Sequence, residues 1–185
     1  MSSIGKLFVI SGPGGVGKST IVDALRADNS FFFSVSATTR TPRNGEIDGI
    51  AYSFVSESKF AEMIQSNAFL EWADFAGARY GTPRKPVLDA LAEGKNVILE
   101  IEIQGARQVK AAMPEAIMVF IAPPSIDELM TRLKGRGTDD PARIKARLDL
   151  AYEEMAAAEE FDHILVNHRV EEIVAALVSL AAPRG

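Results

Sequence analysis

Cysteine is absent from the 185 residues, which removes disulfide frameworks, thiolate metal sites and cysteine nucleophiles from consideration. An excess of basic residues is missing too: the formal charge is -5, and no run of lysine or arginine stands out. Duplex binding draws its affinity mainly from phosphate neutralisation, so a general nucleic-acid binder is not expected. An anionic small molecule would need arginines clustered locally. Long apolar runs are also lacking, and Met1 to Lys6 has no basic stretch leading into one, so neither a membrane span nor a leader is expected. The expectation is a cytoplasmic protein with no membrane partner. What is present is 47% hydrophobic composition over a length that suits a single core, hence one domain.

Leu7 to Ile10 is a short apolar run ending in Ser11-Gly12-Pro13-Gly14-Gly15, the pattern of a buried strand entering a glycine-rich turn. A helix is expected from about Gly17, with Ile21, Val22 and Leu25 at helical spacing and a stop at Asn29-Ser30. Asn96 to Ile103 and Ile117 to Ile121 read as buried strands, each followed by a helical stretch, so parallel strands with crossover helices result. Ser125 to Leu133 and Pro141 to Glu160 read as helices flanking Gly135-Arg136-Gly137. His163 to Val166 reads as a last strand, and Val170 to Leu180 as a closing helix with Ile173, Leu177 and Leu180 on one side. Residues Ser36 to Pro86 break this rhythm with short alternating pieces such as Tyr52 to Val55, the mark of a small β-rich insert.

Gly12-Pro13-Gly14-Gly15-Val16-Gly17-Lys18-Ser19 matches G-x-x-x-x-G-K-[ST] after a predicted strand and before a predicted helix, the context that makes it a phosphate loop. Glycines let backbone N–H groups turn inward around phosphate oxygens, and the helix N-terminus adds a favourable dipole. Lys18 is expected to bridge the β- and γ-phosphates of a nucleoside triphosphate, Ser19 to give Mg²⁺ a hydroxyl ligand, and Thr20 to support the loop or the α-phosphate. The expected fold class is α/β: a P-loop NTPase-type parallel sheet flanked by helices, with a small β-rich insert and a helical lid.

Thr38-Thr39-Arg40-Thr41-Pro42-Arg43 sets two guanidinium groups close together on a backbone stiffened by proline, ahead of an Asn44-Gly45 turn. A phosphate fork is one reading, since planar arginine donors pair bidentately with phosphate oxygens; a solvated surface loop is the other. Taken with Phe69-Leu70-Glu71-Trp72, Arg79-Tyr80-Gly81-Thr82, Leu99-Glu100-Ile101-Glu102-Ile103-Gln104-Gly105, Phe120-Ile121-Ala122-Pro123-Pro124 and Gly135-Arg136-Gly137-Thr138, the stretch Ser34 to Arg43 resembles the guanylate kinases in order and spacing. The resemblance covers nearly the whole chain.

That resemblance implies direct transfer of the γ-phosphate of ATP to GMP with magnesium, and leaves dGMP open as a second acceptor. It implies that Arg40, Arg43, Tyr52 and Tyr80 hold the GMP phosphate while Ser36, Glu71, Thr82 and Glu102 read the base. Guanine offers N–H donors at N1 and N2 and an acceptor at O6, so carboxylates and a hydroxyl are matched to it, whereas adenine would leave a buried acid unpaired. Glu102 departs from the aspartate usual in the family. Glu100 and Glu102, two apart on the expected strand, share a face, and either can orient a magnesium-bound water. Arg132, Arg136 and Arg147 match arginines that contact ATP phosphates or the transferring group, and Asn167 matches an asparagine near adenine, although His168-Arg169 replaces the acids common beside it. The implied organisation is a core of residues 1–35, 88–124 and 161–185, a monophosphate-binding insert at about 36–87 and a lid at about 125–160. Two other readings stand beside this one: a kinase for another mononucleotide or a ribose bisphosphate, and a non-catalytic guanylate-kinase-like binding module.

Overall fold

A computed structural model of the chain describes residues 4–134 and 140–183, so Arg136 and its flanking glycines lie outside the described residues. In chain order the elements are β1 (Leu7–Ser11), α1 (Lys18–Leu25), β2 (Phe31–Phe33), β3 (Ala37–Thr38), β4 (Ser53–Phe54) and α2 (Glu57–Gln65). Then come β5 (Phe69–Phe75), β6 (Ala78–Pro83), α3 (Arg84–Ala92), β7 (Asn96–Glu100), α4 (Ile103–Ala112) and β8 (Ile117–Ala122). The chain continues with α5 (Ile126–Lys134), α6 (Pro141–Ala156) running into a 3₁₀ turn over Ala157–Glu160, β9 (His163–Val166) and α7 (Val170–Ala181). No helix among the described residues is long and apolar enough to cross a membrane.

Five parallel strands form the main sheet in the order β2-β7-β1-β8-β9. β1 is buried at every position because helices cover both faces of the strand that lies at the centre. Its side chains alternate between two apolar layers, as the two-residue period of a strand requires. Leu7 and Val9 join Val97, Leu99 and Phe120 under α3 and α4, while Phe8 and Ile10 join Ile98, Val119 and Ile121 under α1 and α7. A second, four-stranded sheet has the order β4-β3-β6-β5 and its own small core, in which the Phe60 and Phe69 rings stand 4.5 Å apart.

Three expected boundaries move. The strand expected over Asn96 to Ile103 ends at Glu100, and Ile103 opens α4. Pairing with β1 runs out there, Ile101 N–H giving a last bond to the Ile10 carbonyl, while Ile103, Ala106 and Val109 recur at helical spacing and are buried. Glu102 is therefore the extended N-cap of α4, and it does not share a strand face with Glu100. Helix α1 stops at Leu25, short of Asn29, because the chain must turn to bring Phe31 into the sheet; Asp28 N–H bonds to the Leu25 carbonyl in that turn. The helix expected to reach Glu160 tightens to 3₁₀ geometry after Ala156.

Candidate active site

The phosphate loop joins the C-terminal end of β1 to α1, the position at which open parallel sheets bind ligands. Gly17 is the N-cap of α1 with φ of 100°, a left-handed conformation that disfavours any side chain, and a Cβ there would meet Asn167 Nδ2 at 2.9 Å. No side chain caps this helix end, so its first N–H groups remain available to an anion. Lys18 Nζ donates to the carbonyls of Gly12 and Pro13, curled over its own loop. Ser19 Oγ donates to Glu100 Oε1 at 3.0 Å, joining the helix start to the end of β7.

Asn167 follows β9, is buried, and donates from Nδ2 to the Val16 carbonyl at 2.9 Å. Arg132 on α5 donates to the Val16 and Asn167 carbonyls, each at 3.3 Å, and pairs with Glu128 at 2.5 Å. A cavity of about 300 Å³ opens here, lined by Gly15, Val16, Gly17, Thr20, Arg132, Asn167 and His168. Arg147 lies exposed on α6 and lines neither this cavity nor the next.

The second cavity, about 290 Å³, lies between the two sheets and is lined by Ser36, Arg40, Arg43, Tyr52, Glu71, Tyr80, Glu100 and Glu102. Arg40 grips Glu46 with two guanidinium bonds of 2.9 Å and donates from Nε to the Tyr80 hydroxyl at 3.2 Å. Its guanidinium also lies over the rings of Tyr52 and Phe54, 5.3 Å and 5.7 Å from their centroids. Glu46 accepts in addition from the Arg43 backbone N–H at 2.7 Å. These bonds, that of Arg40 foremost, pull the Glu46 carboxyl down to about 2. The Arg40 guanidinium is held even more firmly charged than usual by the same partner. Burial pushes the Tyr52 hydroxyl up.

Glu71 stands on β5 opposite Thr82 of β6, just after an irregularity in their pairing, and is 7% exposed. The Thr82 hydroxyl donates to Glu71 Oε1 at 2.6 Å. Desolvation outweighs that bond and raises the Glu71 pKa above the ordinary glutamate value. Thr82 itself sits behind Glu71 and faces an adjoining cavity that it shares with Ser36. Every residue expected to face a purine monophosphate is thus brought together around one hollow, Thr82 through Glu71.

Two acids unforeseen in the sequence complete the site. Glu46 follows the Asn44-Gly45 turn that returns the chain toward Arg40, and that turn was the available signal. Glu154 on α6 is 9% exposed. Burial first, then the charge of Glu102 nearby, raises its pKa, and the Lys18 ammonium opposes that rise. Its signal was positional: Glu154 falls with Ala151 on the buried side of α6.

A parallel sheet with a phosphate loop at the end of its central strand, flanked by a cavity of arginines and buried acid, is the plan of a P-loop nucleotide kinase. Residues 4–182 match the guanylate kinase family model. The chain is 54% identical over 178 residues to the guanylate kinase of Thermobifida fusca, covering 96% of this chain and 91% of that protein. It is 52% identical over 176 residues to that of Synechococcus sp. (strain CC9311), covering 95% and 93%. Among solved structures it resembles the crystal structure of guanylate kinase from Anaplasma phagocytophilum, with a TM-score of 0.77 and 30% identity over 97% of this chain and 86% of that one. The chain belongs to the guanylate kinase family of P-loop nucleoside monophosphate kinases, and it is an enzyme of that kind.

Proposed function

We propose that this enzyme moves the γ-phosphate of ATP onto GMP, giving ADP and GDP, by direct in-line displacement, with Mg²⁺ as its cofactor and the cytoplasm as its setting. The observation that carries the reading is the second cavity. One hollow holds a paired arginine fork and a buried, hydroxyl-braced carboxylate, and it reaches Glu100, which is bonded to Ser19 of the phosphate loop. Arg40, Arg43, Tyr52 and Tyr80 would take the acceptor phosphate, and Ser36, Glu71, Thr82 and Glu102 the guanine. A sugar phosphate would leave the buried Glu71 with nothing to accept.

The donor set around Ser19, a hydroxyl and the Glu100 carboxylate 3.0 Å away, is all oxygen, which suits a small hard cation that keeps most of its waters. Magnesium held there would supply positive charge beside the β- and γ-phosphate oxygens. The chain's own groups do the rest. Lys18 exchanges the Gly12 and Pro13 carbonyls for phosphate oxygens when ATP enters, and the loop N–H groups and α1 dipole cradle the β-phosphate. Arg40 and Arg43 offset repulsion between two anionic reactants, which matters more than a strong base because the acceptor oxygen is already charged. Arg132, and with it Arg136 and Arg147, would neutralise charge on the phosphoryl group in flight. Asn167 holds the loop at Val16 beside the adenine end. Purified protein given ATP, Mg²⁺ and GMP should release ADP and GDP in equal amounts; chelation by EDTA should stop turnover, and turnover that survives chelation would remove the metal from the scheme.

A further inference from the structure

Helix α4 carries a glycine, Gly105, where a helix interior favours almost any other residue. The backbone makes no demand for it, since Gly105 is not among the glycines of positive φ. Its neighbour does: a Cβ at Gly105 would lie 2.6 Å from Glu71 Oε2 and 3.1 Å from Glu71 Cδ, so the acid occupies the space that a side chain would fill. Three residues further along the helix, Gln108 Oε1 accepts from the Trp72 N–H at 3.1 Å and Gln108 Nε2 donates to the Trp72 carbonyl at 2.9 Å. β5 is the edge strand of the small sheet, so this amide takes the part of a missing neighbouring strand at the residue next to Glu71. The same helix is anchored in the main core through Ile103, Ala106 and Val109, and its N-cap is Glu102.

We propose that Gly105 and Gln108 are specificity-determining positioning residues, through which a helix of the rigid core sets the depth of the Glu71 carboxylate and its spacing from Glu102, and hence the preference for guanine. The proposal rests on the reading that these two acids face the base. It accounts for a glycine that the helix does not need and for an amide that bonds backbone alone. It also makes the recognition of the base independent of motion within the small sheet, since Glu71 and Glu102 are referred to the same helix.

The test is steady-state kinetics with GMP and with IMP, which lacks the 2-amino donor, on Gly105→Ala, Gln108→Ala, Glu71→Asp, Glu71→Gln and the double variant Gly105→Ala/Glu71→Asp. Gly105→Ala should raise KM for GMP about tenfold or more, narrow the GMP to IMP ratio, and leave KM for ATP within about twofold. Glu71→Asp should cost less in the Gly105→Ala background than alone, because the shorter acid vacates the space the methyl takes; additive losses would break the proposed link. Gln108→Ala removes contacts and introduces none, so it keeps the question answerable if Gly105→Ala fails to fold; it should raise KM for GMP several-fold, on the order of one hydrogen bond's effect, without changing KM for ATP. If GMP KM and the GMP to IMP ratio stay at wild-type values in both variants while Glu71→Gln alters them, the proposal is overturned and base reading by Glu71 survives. If Glu71→Gln alters neither, the reading beneath the proposal fails instead.

Discussion

Replacing Glu71 by glutamine should make the protein a worse enzyme and a more stable one. The carboxylate is 7% exposed, and burial raises its pKa despite the Thr82 bond, so keeping it ionised at neutral pH costs folding free energy that an amide would not. Gln Oε1 can still accept from the Thr82 hydroxyl, which leaves the 2.6 Å contact chemically satisfied. Two guanine N–H donors would lose a charged acceptor, and one would face an amide NH₂. At about 1.5–3 kcal/mol for a hydrogen bond to a charged group, a net loss near 3 kcal/mol is expected, roughly a hundredfold in kcat/KM for GMP. The pH dependence follows from the direction of the shift. The folded state binds the Glu71 proton more tightly than the unfolded chain, so stability falls as pH rises from the ordinary value of 4.5 through the raised folded value, and the glutamine variant lacks that fall. Over the same window kcat/KM for GMP should climb in the wild type as the acceptor ionises. Thermal melts across pH together with GMP kinetics decide the matter. A variant that melts well below wild type, or that keeps wild-type GMP kinetics, would refute this account of the acid.

Glu46→Gln should loosen the Arg40 fork and raise KM for GMP several-fold, on the order of one charge-assisted pair, with KM for ATP unchanged in the same coupled assay. Because hydrogen bonds from Arg40 and the Arg43 N–H depress this carboxyl from 4.5 to about 2, its stabilising contribution should be complete above about 4.5 and be lost progressively as pH falls from there through about 2, a decline that acid titration followed by circular dichroism should show in wild type and not in the variant. Asn167→Ala leaves the Val16 carbonyl without its 2.9 Å donor, so KM for ATP should rise while KM for GMP stays put, a split read directly from substrate titrations. Phe60→Ala empties the centre of the small sheet's core, where the ring is wholly buried, and should cost about 3–5 kcal/mol in denaturant unfolding.

Most of the main sheet was legible because its strands are short apolar runs bounded by turn residues: Leu7 to Ile10 and His163 to Val166 fall inside the observed strands. The phosphate loop was legible from its spacing together with the strand before it and the helix after it. The boundary at Glu100 was not, because Ile101 and Ile103 continue the apolar run of β7 and only the end of pairing with β1 shows where the helix takes over. The cavity between the two sheets was visible chiefly through resemblance, since two arginines in a loop and a lone glutamate beside tryptophan carry little signal by themselves. The acids that brace it were hidden for different reasons. Glu46 acts through a turn whose closure the sequence does not display, and Glu154 feels the charges of Lys18 and Glu102, which are distant from it along the chain. The clash that accounts for Gly105 depends on the side chain of another strand, and no local pattern announces it.

The central claim is that an arginine fork and a buried acid present a guanine nucleotide to the phosphate loop. Its most direct test is ADP release with ATP and magnesium against a panel of GMP, AMP, UMP, dTMP and ribose phosphates. The account predicts rapid release with GMP, with GDP as the product, and rates lower by orders of magnitude with the others. Comparable rates with AMP, or no GDP from GMP, would contradict it.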